Sequence, residues 1–142
     1  MKIFYSHHCY KYGTPIEEYE MELIRSGTPI EEVTIINPKN ALPQDAPESV
    51  IMEDAFSIIA NCDALVFSTV SGMIGRGVFD EVIYALNHGK PVYEIYGDDI
   101  IEVEGILAFE SRIYRLIFNG DNRRYAILYP PDVLYETGKV KR

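Results

Sequence analysis

Short apolar segments alternate with longer amphipathic segments along the first two thirds of this sequence, and no other feature constrains the fold as strongly. Each apolar segment is typical of a buried β-strand, and the four segments are Lys2–Tyr5, Val33–Ile36, Ala64–Phe67 and Pro91–Tyr96. The segments between them carry apolar residues at helical spacing. Strands joined by single helices form right-handed βαβ units, so the sequence predicts a mostly parallel sheet with helices on both faces.

The first predicted helix has recognisable signals at both ends. Thr14 is its expected N-cap, with Pro15 at the first helical position and Glu17 three residues after Thr14, as in a capping box. Gly27 is expected to end the helix. Its predicted apolar face comprises Ile16, Tyr19, Leu23 and Ile24. Two further helices are predicted at residues 49–61 and 78–88.

The pattern changes after residue 96, where two β-rich runs flank Gly120-Asp121. These runs, Ile113–Asn119 and Arg124–Tyr129, predict a β-hairpin. We therefore expect a single domain over residues 1–142, with core βα units at 1–96 and an appended hairpin and tail at 97–142. The predicted fold class is α/β, a Rossmann- or flavodoxin-like doubly wound sheet with a C-terminal β-hairpin. Such sheets bind ligands at the carboxyl ends of their strands.

The charge of the chain argues against broad electrostatic binding to polyanions. Thirteen Lys and Arg residues against 22 Asp and Glu residues give a net charge of −9, the wrong sign for nucleic acid polymers or anionic membranes. No apolar run approaches the roughly 18–20 residues that span a bilayer, and the first residues lack the apolar core of a signal peptide. We therefore expect a cytoplasmic protein in which Cys9 and Cys62 are free thiols.

The loop before the third predicted helix contains the densest group of candidate binding residues. Three of the six residues from Gly72 to Gly77 are glycines, and they allow backbone N–H groups at the start of a helix to approach an anion closely. Arg76 adds a guanidinium that matches a phosphate or a carboxylate. The loop lacks the lysine and serine that end a P-loop, so a plain turn is the alternative.

Two carboxylates and a tyrosine are predicted near the same edge of the sheet. Glu81 lies in or near the first turn of the third helix, where it either faces the ligand crevice or complements the helix dipole. Asp54, on the preceding helix, faces either the crevice or solvent. Tyr5 ends the first strand, and its alternative role is that of a core tyrosine with a satisfied hydroxyl.

These residues together resemble the nucleoside 2-deoxyribosyltransferase superfamily, which includes the 2′-deoxynucleoside 5′-phosphate N-glycosidases. The resemblance covers roughly residues 1 to 96, and its most specific part runs from Glu81 to Val92. The matching segments are Ile3–Ser6, Glu53–Phe56, Cys62–Phe67 and Gly77–Val92.

The resemblance implies cleavage of an N-glycosidic bond by double displacement through a covalent deoxyribosyl-enzyme. It assigns the nucleophile to Glu81, the general acid/base toward the leaving nucleobase to Asp54, and a hydrogen bond that orients Glu81 to Tyr5. Asp63 is implied to be structural. The expected substrate-binding residues are Ser6, His7, Ser71, Gly75, Arg76 and Gly77, the last four at a 5′-phosphate.

The expected partners are a small nucleoside or nucleotide and a second copy of the chain. No cofactor is expected, and no metal, because the adjacent residues His7, His8 and Cys9 lack the spacers that let ligands converge. His7 or His8 is expected to contact the base or to handle a proton. Two alternatives are an NAD glycohydrolase of the TIR-like type and a non-catalytic nucleotide-binding or sensor module. Base preference and the choice between water and a second base as acceptor stay open.

Overall fold

The structure is a computed structural model that describes residues 1–27, 32–70, 74–111 and 127–128. Its strands are β1 (Lys2–Ser6), β2 (Thr34–Ile36), β3 (Ala64–Phe67), β4 (Ile74–Gly75), β5 (Val92–Tyr96), β6 (Asp99–Val103) and β7 (Ile127–Leu128). Five of them form the main sheet in the order β2-β1-β3-β5-β6. The remaining two, β4 and β7, pair with each other in parallel. The four predicted core strands are confirmed, with β3 at its predicted bounds.

The strand order of the main sheet changes direction at β1. The chain passes from β1 to β2 on one side and later to β3 on the other. These three strands and β5 are parallel, whereas β6 is antiparallel to β5. The arrangement is a flavodoxin-like doubly wound sheet, so the predicted α/β fold class is confirmed. Its topological switch point lies between the carboxyl ends of β1 and β3.

Helices cover both faces of the sheet. One face carries α1 (Pro15–Gly27), and the other carries α3 (Glu48–Ala60) and α4 (Arg76–Asn87), which pack together. Shorter helical segments are a 3₁₀ turn at Cys9–Lys11, α2 (Pro38–Ala41) and α5 (106–111). The two layers follow from right-handed crossovers. The β1-to-β2 connection runs across the sheet in one direction and the later connections run in the other, so their helices lie on opposite faces.

Side chains of β1 alternate between the two layers. Ile3 and Tyr5 pack with Ile24 of α1, whereas Phe4 packs with the core beneath α3 and α4. This alternation follows from the two-residue period of an extended strand. It directs Ser6, two residues after Phe4, toward the α4 side of the sheet.

The predicted apolar face of α1 is wrong at two positions. Ile16 and Tyr19 are 55% and 51% exposed, whereas Glu17 and Glu20 are buried beside Ile24. Buried carboxylates are stable only when they are paired or hydrogen-bonded, and both glutamates are. The predicted ends of the helix are close to the observed ones: the Thr14 carbonyl accepts the Glu17 N–H at 3.1 Å, and Gly27 is the last helical residue.

The main sheet continues past residue 96, the position at which the core βα units were expected to end and an appended hairpin and tail to begin. The chain turns at Gly97, whose φ of +63° suits glycine, and returns as β6. Phe109 of α5 then packs edge to face on Phe67. Asp99 and Glu102 interrupt the apolar pattern of β6, which conceals this strand in the sequence. The predicted hairpin at 113–129 lies outside the described residues apart from β7.

The third predicted helix starts earlier than expected. α4 begins at Arg76 and not at residue 78, so Glu81 is its sixth residue and lies in the second turn. Complementing the helix dipole is therefore a weaker explanation of Glu81, since that effect fades beyond the first turn. Among the described helices, none combines the length and apolar character that crossing a membrane requires.

Candidate active site

A cavity of about 170 Å³ lies at the carboxyl end of β1, beside the switch point of the sheet. Its apolar wall is built from α2 and the residues that follow it, from α3 and from α4, and comprises Pro38, Leu42, Ile51, Met52 and Val78. Its polar side faces the loop after β1 and the start of α4, and includes His7, His8, Cys9, Tyr12, Arg76 and Glu81. Glu81 is the one carboxylate among the described lining residues, and a few polar groups in a largely apolar cavity are typical of a ligand site.

Glu81 is the acid of this cavity. It is 7% exposed, and the Ser6 hydroxyl donates to its Oε1 at 2.5 Å. Among the described residues no donor reaches Oε2, which keeps contact with the open space. Burial raises the pKa of Glu81 to about 7; the Ser6 hydrogen bond opposes this rise and the nearby charge of Asp80 adds to it. The cavity therefore contains a carboxyl group that changes charge near neutral pH.

Tyr5 does not orient Glu81, and this prediction is wrong. Its hydroxyl donates to Glu20 Oε1 of α1 at 2.5 Å, and its ring is completely buried. The reason is the strand period: Tyr5 and Ser6 are consecutive residues of β1, so they point to opposite faces. Burial and the hydrogen bond to Glu20 raise the pKa of Tyr5 far above its ordinary value. The side chain that meets Glu81 belongs to Ser6, which was predicted only to bind substrate.

Beneath α1, Glu20 lies in a buried ionic network that the sequence analysis missed. Lys11 Nζ donates to Glu20 Oε2 at 2.9 Å, to Ser68 Oγ at 2.9 Å and to the Thr69 carbonyl at 2.8 Å. Ser68 Oγ in turn donates to Glu20 Oε1 at 2.7 Å. One signal was available, because Glu17, Glu20 and Ile24 share a helical face. The network joins α1 to the loops that follow β1 and β3.

A second cavity, of about 490 Å³, borders this network on the α1 face. Its lining includes Lys11 and Glu20, but these two side chains neutralise each other and all three ammonium hydrogens of Lys11 have acceptors. Lys11 and Glu20 are thus engaged with each other, whereas one oxygen of Glu81 has no partner among the described residues. We therefore place the candidate site at Glu81.

His7 lies at the edge of the Glu81 cavity but makes its contacts within the protein. Its ring stacks on Tyr5 with centroids 3.7 Å apart. Nδ1 lies 2.9 Å from the Tyr5 carbonyl, which can only accept, so Nδ1 carries a hydrogen. Nε2 lies 2.7 Å from Glu17 Oε2. Burial favours a higher pKa for Glu17, but hydrogen bonds from His7 and the Gly13 N–H outweigh it and hold that pKa below its ordinary value.

His8 faces the start of α4. The Tyr10 N–H donates to His8 Nδ1 at 3.0 Å, so the neutral ring carries its hydrogen on Nε2. Burial lowers the pKa of His8, with further lowering from His7 and Lys11. Its ring packs against Gly75, where an added Cβ would come within 2.8 Å of His8 Cδ2. Gly75 is thus required by the position of the His8 ring.

The predicted phosphate-binding residues are only partly brought together. Arg76 and Gly77 line the cavity at the start of α4. The guanidinium of Arg76 is half exposed and lies 3.5 Å from Asp80, one helical turn away. Gly75 is the buried N-cap of α4 and contacts His8, and Ser71 lies outside the described residues.

The structure does not bring Asp54 to the site. Asp54 is exposed, and the residues that α3 contributes to the cavity are Ile51 and Met52. Ala55 and Ile59 define the buried side of this helix, and the helical period turns residue 54 about 100° away from residue 55. The carboxylate predicted as general acid/base is therefore separated from Glu81.

Tyr12 is a cavity residue that the sequence analysis did not select. Its half-buried ring packs edge to face on His7, with centroids 5.1 Å apart. Burial raises the pKa of Tyr12 above its ordinary value, and the negative charge of Glu81 raises it further. Its hydroxyl hydrogen-bonds to no side chain or backbone group of the described residues, so it is available to a ligand.

Within the part of the chain that the structure describes, no group of three or more His, Cys, Asp or Glu side chains is arranged to hold a metal ion. Cys9 is exposed and Cys62 is buried, and both are free thiols.

Comparisons with known proteins add support for the fold. No protein-family model matches the sequence, and no curated protein matches it. A crystal structure described as a conserved protein from Enterococcus faecalis V583 is similar, with 21% sequence identity and a TM-score of 0.57. The similarity covers 99% of this chain and 86% of that chain. At this level of identity the likeness shows a shared fold.

Proposed function

We propose that the protein cleaves or transfers the N-glycosidic bond of a 2′-deoxynucleoside 5′-monophosphate or a deoxynucleoside, with Glu81 as nucleophile. The observation that supports this most is the geometry of Glu81. One of its carboxylate oxygens accepts from Ser6, and the other meets the cavity at the sheet's switch point. A buried carboxylate held at one oxygen leaves the second in a defined direction, as attack on an anomeric carbon requires.

The proposed reaction proceeds in two displacements. Glu81 Oε2 forms a bond to C1′ while the bond from C1′ to the base nitrogen breaks, and that nitrogen is protonated as it leaves. Water or a second base then attacks C1′, the ester bond to Glu81 breaks, and the attacking group loses a proton. Two inversions give retention of configuration.

The ionisation of Glu81 sets a requirement for this mechanism. Attack needs the carboxylate form, and the pKa of about 7 means that this form is about half populated at neutral pH. The Ser6 hydroxyl favours the carboxylate by donating to it. We therefore expect kcat/KM to rise through pH 7.

The size of the cavity bears on how a substrate is held. Complete ligand pockets usually measure about 300–1,000 Å³, so the 170 Å³ beside Glu81 suits the sugar or one ring. The rest of a nucleotide then extends past His8 and Arg76 toward the first turn of α4. A 5′-phosphate there would meet the Arg76 guanidinium and the N–H groups of the first turn, which have no side-chain cap among the described residues.

Self-association is part of the proposal, because the family resemblance implies pockets that a neighbouring subunit completes. The exposed side chains of Ile16 and Tyr19 on α1 provide apolar surface for a second copy. Light scattering with size-exclusion chromatography measures this directly, and we expect a mass of at least two chains in a cytoplasmic enzyme of this type.

The experiment is a substrate panel with chromatographic detection of released bases. The panel contains deoxynucleosides, their 5′-monophosphates, the ribo counterparts and NAD. Glu81→Ala is the inactive variant, and Glu53→Gln, which changes an exposed acid on α3, is its matched control. We expect a free base from a deoxy substrate with wild type and Glu53→Gln, but none with Glu81→Ala.

Other results identify the alternatives. Nicotinamide release from NAD by the wild type alone would indicate a TIR-like NAD glycohydrolase. Thermal stabilisation by a nucleotide without release of any base would indicate a binding or sensor module. A Glu81→Ala variant that retains base release would remove Glu81 as nucleophile.

A further inference from the structure

A nucleobase must be protonated as it leaves, and Asp54, the residue expected to donate that proton, does not line the cavity. Asp54 is exposed and separated from the cavity. An unprotonated nucleobase is a poor leaving group, and a positioned general acid contributes about 10²–10⁴-fold to such a step. If the proposed glycosyl transfer takes place at Glu81, another cavity residue must supply the proton.

The two histidines at the cavity are poorly placed for this role. Both ring nitrogens of His7 are engaged, Nδ1 with the Tyr5 carbonyl and Nε2 with Glu17. His8 accepts from the Tyr10 N–H at Nδ1, and its ring packs against Gly75 at the start of α4. That position is the proposed phosphate end of the site.

Tyr12 has the three properties that the task requires. It lines the same cavity as Glu81, its ring is held edge to face by His7, and its hydroxyl has no partner among the described residues. The negative charge of Glu81 contributes to the raised pKa of Tyr12. The pKa of His8 is lowered by burial and by the charges of His7 and Lys11. Tyr12 is therefore the protonated side chain that shares the electrostatic surroundings of the nucleophile.

We propose that the Tyr12 hydroxyl is the general acid/base of the reaction. This inference rests on the proposed function. In the first step the Glu81 Oε2–C1′ bond forms, the C1′–N bond breaks, and the Tyr12 proton moves to the departing nitrogen. In the second step the resulting phenolate takes a proton from the attacking water or base, and the ester of Glu81 is released as a carboxylate.

Charge coupling between the two residues favours this sequence. In the free enzyme, burial and the negative charge of Glu81 both keep the Tyr12 phenol protonated. When Glu81 becomes a neutral ester, its contribution disappears and the phenol becomes a stronger acid as the base departs. When the carboxylate is restored, the phenol is again favoured. Tyr12 is thus a weaker acid in the free enzyme and a stronger acid while the base departs.

A pair of substrates separates proton donation from positioning. The first is the deoxynucleoside 5′-monophosphate that the panel identifies, and the second is 4-nitrophenyl 2-deoxyribofuranoside 5′-phosphate, whose leaving group departs without protonation. Tyr12→Phe keeps the ring and its contact with His7 but removes the hydroxyl. Tyr84→Phe is the matched control, because Tyr84 lies on α4 outside the cavity lining and its ring stacks on Phe56.

We expect Tyr12→Phe to lower kcat/KM on the nucleotide about 100-fold and on the nitrophenyl substrate less than about 3-fold. Because the second step then lacks its base, a burst of about one nitrophenolate per active site should precede slow turnover. Equal losses on both substrates, or no loss on either, would overturn the role of Tyr12 while leaving the proposed function intact. A wild-type protein that cleaves neither substrate would overturn the proposed function, and the role of Tyr12 with it.

Discussion

Ser6 and Glu81 meet at the edge of the main sheet, where the hydroxyl at the end of β1 donates to Oε1 of the carboxyl on α4 at 2.5 Å. The bond leaves Oε2 facing the cavity and opposes the effect of burial on the ionisation of Glu81. One short side chain thus both orients the proposed nucleophile and favours its reactive form.

Replacing Ser6 should move the pH dependence of the reaction. Ser6→Ala removes a hydrogen bond to a carboxylate, so the pKa of Glu81 rises above about 7. A hydrogen bond to a charged group contributes about 1.5–3 kcal/mol, which corresponds to an upward shift of roughly 1–2 pH units in the acid limb of kcat/KM. Ser57→Ala, at an exposed position of α3, is the control. An acid limb that stays in place would show that Ser6 does not act on Glu81.

Replacing Glu81 itself should stabilise the protein at alkaline pH. The pKa of Glu81 is about 7 in the folded state and 4.5 ordinarily. Between pH 4.5 and pH 7, the Glu81 carboxyl group is therefore protonated in the folded chain and ionised in the unfolded chain. Stability from this group is therefore complete below pH 4.5 and is lost as pH rises through 7.

Glu81→Gln cannot ionise and escapes this loss. We expect it to exceed the wild type by roughly 3 kcal/mol in free energy of unfolding at pH 8, with little difference at pH 4.5. Urea titrations of both proteins at the two pH values measure the difference, in which effects common to both chains cancel. A difference independent of pH would contradict the raised pKa.

Tyr5 should prove structural and not catalytic. Tyr5→Phe removes the hydroxyl that donates to Glu20 within a buried network, and we expect a loss of about 1.5–3 kcal/mol in free energy of unfolding. Because Tyr5 faces away from the cavity, kcat should stay within about twofold of wild type at temperatures where the variant is folded. Denaturant titration and steady-state kinetics measure the two quantities. A large loss of kcat in a stable variant would restore the role first predicted for Tyr5.

Gly75 and His8 should behave as a coupled pair. In Gly75→Ala the new Cβ comes within 2.8 Å of the His8 ring, and overpacking of this kind costs about 1–3 kcal/mol. His8→Ala removes the clash, so the double variant should recover at least about 1 kcal/mol relative to additivity. Gly77→Ala is the control, because its nearest neighbour is Met52 Sδ at an ordinary 3.9 Å. Additive effects in the cycle would contradict the close packing of residues 8 and 75.

The sheet was predictable from the sequence because its central strands are short and continuously apolar. β3 has the bounds that its four apolar residues indicate, and alternation with helices gave the parallel topology. β6 was missed because its charged residues break the pattern. The candidate nucleophile Glu81 was predicted from a sequence motif and from its place on the helix that follows the third strand. Both features can be identified in the sequence alone.

The partners of Glu81 were harder to predict because they depend on orientation. Tyr5 and Ser6 are adjacent in the sequence and point to opposite faces of the sheet. Which of them meets α4 depends on how β1 is rotated about its own axis. For α1, hydrophobicity alone places Ile16 inside and Glu20 outside, and the structure reverses both. Glu20 is buried because it pairs with Lys11. Lys11 lies in the loop after β1, where no hydrophobic period indicates which way a side chain points.

The Ser6–Glu81 contact joins residues that are 75 positions apart, and it depends on β1 lying beside β3, which starts 62 positions after β1. Contacts of such sequence separation close large loops, and the entropic cost of closing the loop must be met before the contact can form. An incompletely folded chain therefore carries Glu81 as an ordinary solvated acid, without a cavity or an oriented oxygen. The proposed nucleophile therefore acquires its cavity and its oriented oxygen only when β1, β3 and α4 have come together.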